Sequence, residues 1–233
     1  MNGEIEKKLR KYSSKKKAGI LKSFFKTGPG EYAEGDIFLG VKVPQIRKLA
    51  KEYINLSLKE VKKLLSSPIH EERLLALLIL VLKYSETNDI GKAKVYQLYL
   101  DNTKYINNWD LVDLSAAAII GQFLMGKSKA PLYALAKSEV LWERRISIVS
   151  TFCFIKNNQL NVTLRIAGLL LHDKQDLIHK AVGWMLREVG KKDLVSQESF
   201  LKRYYKTMPR TMLRYAIERF PQRKRQAYLK GKI

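Results

Sequence analysis

The chain has 233 residues with 46% hydrophobic content, which is enough to bury a sizeable core. Forty-four Lys and Arg against 22 Asp and Glu give a formal net charge of +22, an imbalance that favours an anionic partner such as nucleic acid, an acidic protein or an anionic membrane surface. The single cysteine, Cys153, excludes an intramolecular disulfide framework, and the longest apolar run, Leu74–Leu82, is too short to cross a bilayer.

Apolar residues recur at spacings of three and four almost throughout, and no segment alternates as a strand would. Ser57 and Glu60 have the spacing of a capping box, and Pro44 and Pro209 suit the first turn of a helix. The stretch Thr27–Val43 is the one long irregular connection. In chain order, the predicted helices span roughly residues 3–13, 15–25, 44–53, 58–66, 69–85, 89–104, 109–126, 129–137, 141–156, 159–171, 175–190, 193–206 and 209–220, with a last turn near 222–230.

Four of the apolar helices begin with similar charged or aromatic residues. Their starts at Glu72, Trp109, Trp142 and Ile178 are about 33 to 37 residues apart, with a shorter helix before most of them. This is the spacing of a two-helix repeat, and stacked two-helix repeats form a curved solenoid with one concave face. We therefore expect an all-α superhelix that forms a single domain over residues 1–233.

The segment Trp109-Asp110-Leu111-Val112-Asp113 combines an aromatic ring with carboxylates. Residues four apart share a helix face, so Trp109 and Asp113 point in the same direction. A ring face and a carboxylate both attract positive charge, which suits a cationic ligand or one that develops positive charge. The alternative is that Asp113 only pairs with a neighbouring Lys or Arg and that Trp109 belongs to the core.

Both ends of the chain are basic. Residues 202–233 contain eleven Lys and Arg against one acid, and residues 1–26 contain nine against two. Arg210 and Arg214 belong to the C-terminal run, and the planar fork of arginine suits phosphate. These runs predict a phosphate-binding surface; the alternative is a solvated face that only keeps the protein soluble.

Three segments together resemble the AlkD family of bacterial DNA glycosylases: residues 109–113, Trp142-Glu143-Arg144-Arg145, and residues 180–188 around Trp184. Phe38-Leu39-Gly40-Val41, followed by Pro44, is similar to the N-terminal part of that family, and the likeness covers about residues 20–220. The resemblance implies HEAT-like repeats that hold duplex DNA. It also implies removal of alkylated purines by hydrolysis of the N-glycosidic bond, the first step of base excision repair.

The resemblance implies roles for individual residues. Trp109 and Trp184 match two tryptophans that pack against the lesion's deoxyribose and backbone, and Asp113 matches the catalytic carboxylate. N3-alkyladenine and N7-alkylguanine are cationic and already good leaving groups, so no general acid is needed. Asp113 then stabilises the positive charge that develops on the sugar and orients the attacking water.

The same resemblance places further residues at the DNA. Arg145 matches an arginine that approaches the DNA near the lesion, Arg187 lies in the matching Trp-x-x-Arg segment, and Tyr32 is the nearest candidate for an early tyrosine that the family uses. Arg210 and Arg214 are added from the basic run as phosphate contacts. We expect a cytoplasmic monomer that binds alkylated double-stranded DNA and uses no metal, cofactor or membrane.

Two other functions compete with this interpretation. A noncatalytic relative would bind branched or damaged DNA through the same basic surface, but it would gain little by keeping Asp113. A helical-repeat adaptor for RNA or an acidic protein would present one polar residue per repeat as a code. The equivalent positions Arg73, Asp113, Arg145 and Ala181 do not form such a code.

Overall fold

The computed structural model describes residues 2–233, and every regular element in that range is helical. The isolated bridge between Ile37 and Ile69 is the only β pairing within these residues. Packing divides the chain into two compact units, one that ends at Ser115 and one that runs from Ala116 to Ile233. The prediction of an all-α fold is confirmed, and a single domain over residues 1–233 stays a prediction.

The first unit is organised around one long apolar helix, α5, which packs against α3, α4, α6 and α7. Residues 74–80 of α5 are at most 5% exposed, and burial of each large apolar side chain stabilises the fold by about 1.5–3 kcal/mol. The α-helices of this unit are α1 (Asn2–Lys11), α2 (Lys15–Phe24), α3 (Val43–Glu52), α4 (Leu58–Leu65), α5 (His70–Glu86), α6 (Asp89–Leu100) and α7 (Trp109–Asp113), and a short 3₁₀ helix, Thr103–Tyr105, lies between α6 and α7.

The second unit is organised around α12, which packs against α9, α11, α13 and α14. It opens with a π-helical segment, Ala117–Gly121. The α-helices that follow are α8 (Ala130–Ala136), α9 (Leu141–Ser150), α10 (Phe152–Lys156), α11 (Leu160–Leu169), α12 (Asp176–Lys192), α13 (Leu194–Tyr204), α14 (Arg210–Ala216) and α15 (Gln222–Leu229).

Several helix starts follow the sequence signals. The capping box is present, because Ser57 Oγ accepts from Glu60 N at 3.3 Å and Glu60 Oε2 accepts from Ser57 N at 2.7 Å. Pro44 lies in the first turn of α3, as predicted, whereas Pro209 is the residue that precedes α14. Among the described residues, no helix has the length and apolar character needed to cross a membrane.

The single helix predicted over residues 109–126 is wrong. The α-helix ends at Asp113, and the chain turns before it enters the π-helical segment. Ser115 Oγ donates to the Leu111 carbonyl at 2.5 Å and lies 2.9 Å from the Tyr99 hydroxyl. A serine that bonds back to the preceding turn competes with the backbone ladder and bends the helix.

Two further predicted helices are shorter than expected for the same kind of reason. The helix predicted over 141–156 divides at Thr151, whose Oγ1 donates to the Ile148 carbonyl at 2.6 Å. The helix predicted over 89–104 ends at Leu100, and Asn102 Nδ2 then donates to the Leu98 carbonyl at 2.7 Å. Short polar side chains thus end helices that the apolar pattern alone would continue.

Candidate functional site

The helix α7 carries the Trp-Asp segment of the first unit. Its N-cap is Asn108, a fully buried residue whose Oδ1 accepts from the backbone N of Trp109 at 2.8 Å. Leu111 and Val112 are buried in the core. Trp109 and Asp113, one turn apart, both line one cavity, so the two side chains lie together as their spacing predicts.

A cluster of planar side chains packs against the indole of Trp109. The Trp109 ring stacks on Phe25 with 5.0 Å between centroids, and Phe25 stacks on Phe38 at 5.1 Å. The Phe38 ring then stacks on the imidazole of His70 at 4.5 Å. The Phe25 ring also lies 5.1 Å from the His70 ring, so these four planar groups form one compact cluster that joins the chain after α2 to α5 and α7, and such pairs are worth about 0.5–1.5 kcal/mol each beyond their burial.

Two more aromatic residues contact Trp109. Its Nε1 donates to the hydroxyl of Tyr32 at 3.3 Å, so the structure brings the predicted early tyrosine to the predicted tryptophan. The ring of Phe24 packs edge-on against Trp109 at 5.7 Å, although Phe24 is 60% exposed. Sequence reasoning did not identify Phe24, because an apolar residue at a helix end carries no signal of its own.

A cavity of about 390 Å³ opens beside Trp109 and Asp113. Its wall is mainly aliphatic and aromatic, and the charged or titratable groups on it are His70, Glu71, Asp110 and Asp113. The apolar lining consists of Leu21, Phe24, Phe25, Phe38, Val41, Val43, Ile46, Leu74, Trp109 and Leu114. A mainly apolar wall lowers the local polarity, which strengthens the interaction of a carboxylate with positive charge at this position.

A buried ionic network lies behind α7. The Nδ1 of His70 is 3.2 Å from Asp36 Oδ2, and its Nε2 is 2.8 Å from Asp110 Oδ2. The other carboxylate oxygen of Asp36 accepts from Arg73 Nη2 at 2.6 Å. His70 and Arg73 are 2% and 3% exposed, so these charges are held inside the first unit. The sequence analysis did not identify His70 as a functional residue.

The network shifts the pKa values of two of its members. Burial lowers the pKa of His70, but the hydrogen bonds to Asp110 and Asp36 and the charge of Asp110 outweigh it, so this pKa lies above 6.5. Burial raises the pKa of Asp36, but the hydrogen bond from His70 and the charges of Arg73 and His70 outweigh it, so this pKa lies below 3.8. Both shifts favour the charged forms, a protonated His70 beside an ionised Asp36.

A second buried acid shapes the Phe-Leu-Gly-Val loop. Glu71 is 2% exposed, and its carboxylate accepts from the backbone N–H groups of Leu39, Gly40 and Val41 at 2.8–3.2 Å. Three backbone donors on one carboxylate fix the loop that carries Phe38. Glu71 therefore holds the backbone of the Phe38-Leu39-Gly40-Val41 segment, the part of the loop that resembles the AlkD family.

Three predicted residues lie on α9 and α12 of the second unit. Trp184 is half-buried and packs against Phe152 with 5.9 Å between centroids. Arg145 is 5% exposed, and its Nη1 donates to the Leu177 carbonyl. Arg187 forms an ion pair with Glu218. The guanidinium groups of Arg145 and Arg187 therefore have protein partners in this structure.

Arg210 and Arg214 lie on α14, one turn apart, and both are exposed. Helix α14 packs closely on α12 at Gly183, a residue without a side chain. A Cβ at this position would lie only 2.5 Å from the Met212 carbonyl oxygen. Gly183 directly precedes Trp184 in the chain. The two arginines thus stand on a helix that is fixed against the one that carries Trp184.

Other chemistry is sparse in the described part of the chain. Residues 2–233 contain no group of three or more His, Cys, Asp or Glu arranged to hold a metal ion. Cys153 is buried, and burial raises the pKa of its thiol, which is the environment of an inert cysteine.

Comparison with known families gives one match over nearly the whole chain. A family described as DNA alkylation repair enzyme matches residues 5–220. None of the curated proteins compared with the chain matches it.

Several solved structures are similar. A predicted DNA alkylation repair enzyme from Enterococcus faecalis shares 14% identity with a TM-score of 0.68, covering 90% of this chain and 97% of its own. AlkD2 from Streptococcus mutans shares 18% identity with a TM-score of 0.55, covering 89% and 99%. Protein smu.31 from Streptococcus mutans UA159 shares 19% identity with a TM-score of 0.54, covering 75% and 89%. At these identities the structures establish the fold, and the helical-repeat prediction is confirmed.

Proposed function

Because this chain belongs to the family of DNA alkylation repair enzymes, we propose that it is a DNA glycosylase that hydrolyses the N-glycosidic bond of cationic alkylated purines in duplex DNA. The substrates are N3-alkyladenine and N7-alkylguanine. The observation that carries the proposal is the position of Asp113 beside the ring of Trp109 on the wall of a mostly apolar cavity.

The proposed reaction needs mainly electrostatic stabilisation of the transition state from the protein. The alkylated base carries a positive charge and leaves as a neutral base when the C1′–N bond breaks, which places positive charge on the deoxyribose. Asp113 stabilises that charge and aligns a water for attack on C1′, and the Trp109 face adds cation–π attraction of about 0.5–2 kcal/mol. The water's proton passes to the carboxylate or to bulk solvent.

Asp113→Asn tests this mechanism because it keeps the shape of the side chain and removes its charge. We expect a loss of about 2–4 kcal/mol of transition-state stabilisation, the range for a single electrostatic catalytic group. The measurement is release of 3-methyladenine and 7-methylguanine from methylated duplex DNA under single-turnover conditions. Binding to the same duplex is expected to persist or tighten, because a negative charge has been removed from a phosphate-facing site.

Substrate charge provides the control. No residue of the site is proposed to protonate a leaving base, so uracil, hypoxanthine and ethenoadenine should leave at least about a thousandfold more slowly than the cationic purines. Rapid removal of uracil, or full activity in Asp113→Asn, contradicts the mechanism. Tight DNA binding without any base release would instead identify the noncatalytic binder.

A further inference from the structure

His70 connects three parts of the first unit at one point. It is the first residue of α5, and its two ring nitrogens face carboxylates of the loop before α3 and of α7. An ionised carboxylate only accepts hydrogen bonds, so both contacts are hydrogen bonds only when both ring nitrogens carry a proton. The arrangement therefore fits the imidazolium form, held between Asp36 and Asp110.

Helix α7 needs such an anchor. It has five residues, and a helix of one turn has little stability of its own. Asp110 is its second residue, between Trp109 and Asp113, and the 2.8 Å contact with His70 ties this turn to α5. Together with the buried side chains of Leu111 and Val112, the contact sets the rotation of α7 about its axis, and with it the direction of the indole and of the Asp113 carboxylate.

We propose that His70 is a positioning residue that acts through Asp110, and that the full alignment of Trp109 and Asp113 requires its imidazole to be protonated. The kinetic consequence rests on the proposed glycosylase function, whereas the structural consequence for Trp109 does not.

The contact that opens on deprotonation can be identified from the charges around the ring. Asp36 stays fixed by Arg73, and Glu71 is fixed by three backbone N–H groups. Asp110 Oδ1 accepts from Leu111 N at 2.8 Å, a bond within α7 itself, and the Asp110 side chain is 12% exposed against 5% for Asp36, so Asp110 is the partner that can move away from His70. A neutral imidazole donates one hydrogen bond, keeps Asp36 as its partner and releases Asp110.

The direction of the pH effect follows. Because the pKa of His70 is raised, the contact is fully formed below pH 6.5 and is lost as the pH rises through the pKa of the folded state. Asp36→Asn removes one of the two carboxylates that raise this pKa. The alkaline fall in excision rate should therefore move to lower pH in Asp36→Asn, with the plateau rate at low pH retained.

A double-mutant cycle tests the pair. His70→Gln and Asp110→Asn should each lower the single-turnover excision rate about tenfold, while the Kd for duplex DNA changes less than about twofold. The double variant should be no slower than either single variant, because both remove the same contact. Multiplied losses, or losses that appear in Kd and not in the rate, overturn the proposal.

A second readout is independent of activity. With 5-fluorotryptophan in place of tryptophan, the ¹⁹F resonance of Trp109 should shift in His70→Gln and should titrate with the alkaline limb in the wild type. Asp173→Asn is the matched control, because it removes a 2.6 Å ion pair with Arg144 in the second unit. The control should leave the Trp109 resonance and the shape of the pH profile unchanged.

Failure of the proposed glycosylase function and failure of the positioning role of His70 give different results. Absence of base release by the wild type contradicts the glycosylase, and the ¹⁹F titration still decides whether His70 positions Trp109. A Trp109 resonance that is the same in wild type and His70→Gln overturns the positioning role, as does an equal shift in Asp173→Asn. If His70→Gln does not fold, Asp36→Asn supplies the pH test.

Discussion

Phe24 is an aromatic residue that the fold leaves in solvent. It is 60% exposed at the end of α2, its ring contacts Trp109, and Lys22 and Lys26 flank it in the chain. Covering this exposed apolar surface with a ligand is favourable, because it removes apolar area from water beside a predicted catalytic residue. Lysines beside an aromatic ring are the combination that binds a nucleic acid backbone and stacks against its sugar or base.

Phe24→Ala should therefore weaken the interaction with DNA more than it weakens the fold. We expect about 1–3 kcal/mol lost from binding of lesion-containing duplex, the range for one aromatic stacking contact, and about 1 kcal/mol from the free energy of unfolding. Ile90→Ala is the control, since Ile90 is 70% exposed on α6 and is not at the cavity. Equal affinity of Phe24→Ala and wild type would show that the ring does not meet DNA.

The residues of the site differ in how far the sequence predicts them. Trp109 and Asp113 are four apart in one helix, so their common face follows from helical periodicity. The partners of Asp110 and Trp109 lie 40 and 77 residues away, at His70 and Tyr32. No local pattern encodes such separations. A buried histidine has the same sequence signature whether it only packs or holds two carboxylates.

At the level of elements, the apolar pattern predicts where helices lie better than where they end. Period 3.6 continues through Ser115 and Thr151, but their hydroxyls bond to preceding carbonyls and end α7 and α9. This competition depends on whether a hydroxyl has a better partner elsewhere, which is a tertiary property. The capping box at Ser57 is local, and for that reason it could be predicted from the sequence.

Gly40 joins two elements and provides a stability test. Its φ is +81°, and a Cβ there would lie 2.3 Å from the Ser14 carbonyl and 2.7 Å from Ala18 N of α2. Gly40→Ala should cost at least about 3 kcal/mol of unfolding free energy, from the left-handed backbone and from displacement of α2. The measurement is unfolding in urea followed by circular dichroism.

Gly35→Ala separates the two causes. Gly35 has φ +83°, but nothing lies within 4 Å of its Cβ position. Gly35→Ala should therefore lower the free energy of unfolding only by the backbone penalty of about 1–2 kcal/mol. Equal losses at the two positions would mean that the close approach of α2 to the loop contributes nothing.

At the scale of the whole molecule, the predicted residues belong to both units. Tyr32, Trp109 and Asp113 lie in the first unit. The other five lie in the second: Arg145, Trp184, Arg187, Arg210 and Arg214. That they form one DNA-binding surface remains a prediction from the sequence, and the net charge of +22 is its most general support.

The charge predicts how DNA binding should respond to salt. Each phosphate that a basic side chain neutralises releases condensed counterions, so log K falls with log salt by about 0.9 per phosphate. If about six phosphates are contacted, the slope is roughly −5 and binding is almost independent of sequence. Arg210→Ala with Arg214→Ala removes two exposed cations from α14 and should make the slope less negative by about 1.8.

Lys62→Ala with Lys63→Ala is the matched control. It removes the same charge from the exposed side of α4, where we predict no DNA contact. A general field effect of net charge would change both slopes equally, because the two double variants have the same net charge. Local phosphate contacts would change the slope of the arginine variant and leave that of the lysine variant as in the wild type. Fluorescence anisotropy with one labelled duplex between about 50 and 300 mM salt separates the two explanations. An unchanged slope in the arginine variant would place the phosphate contacts on other residues.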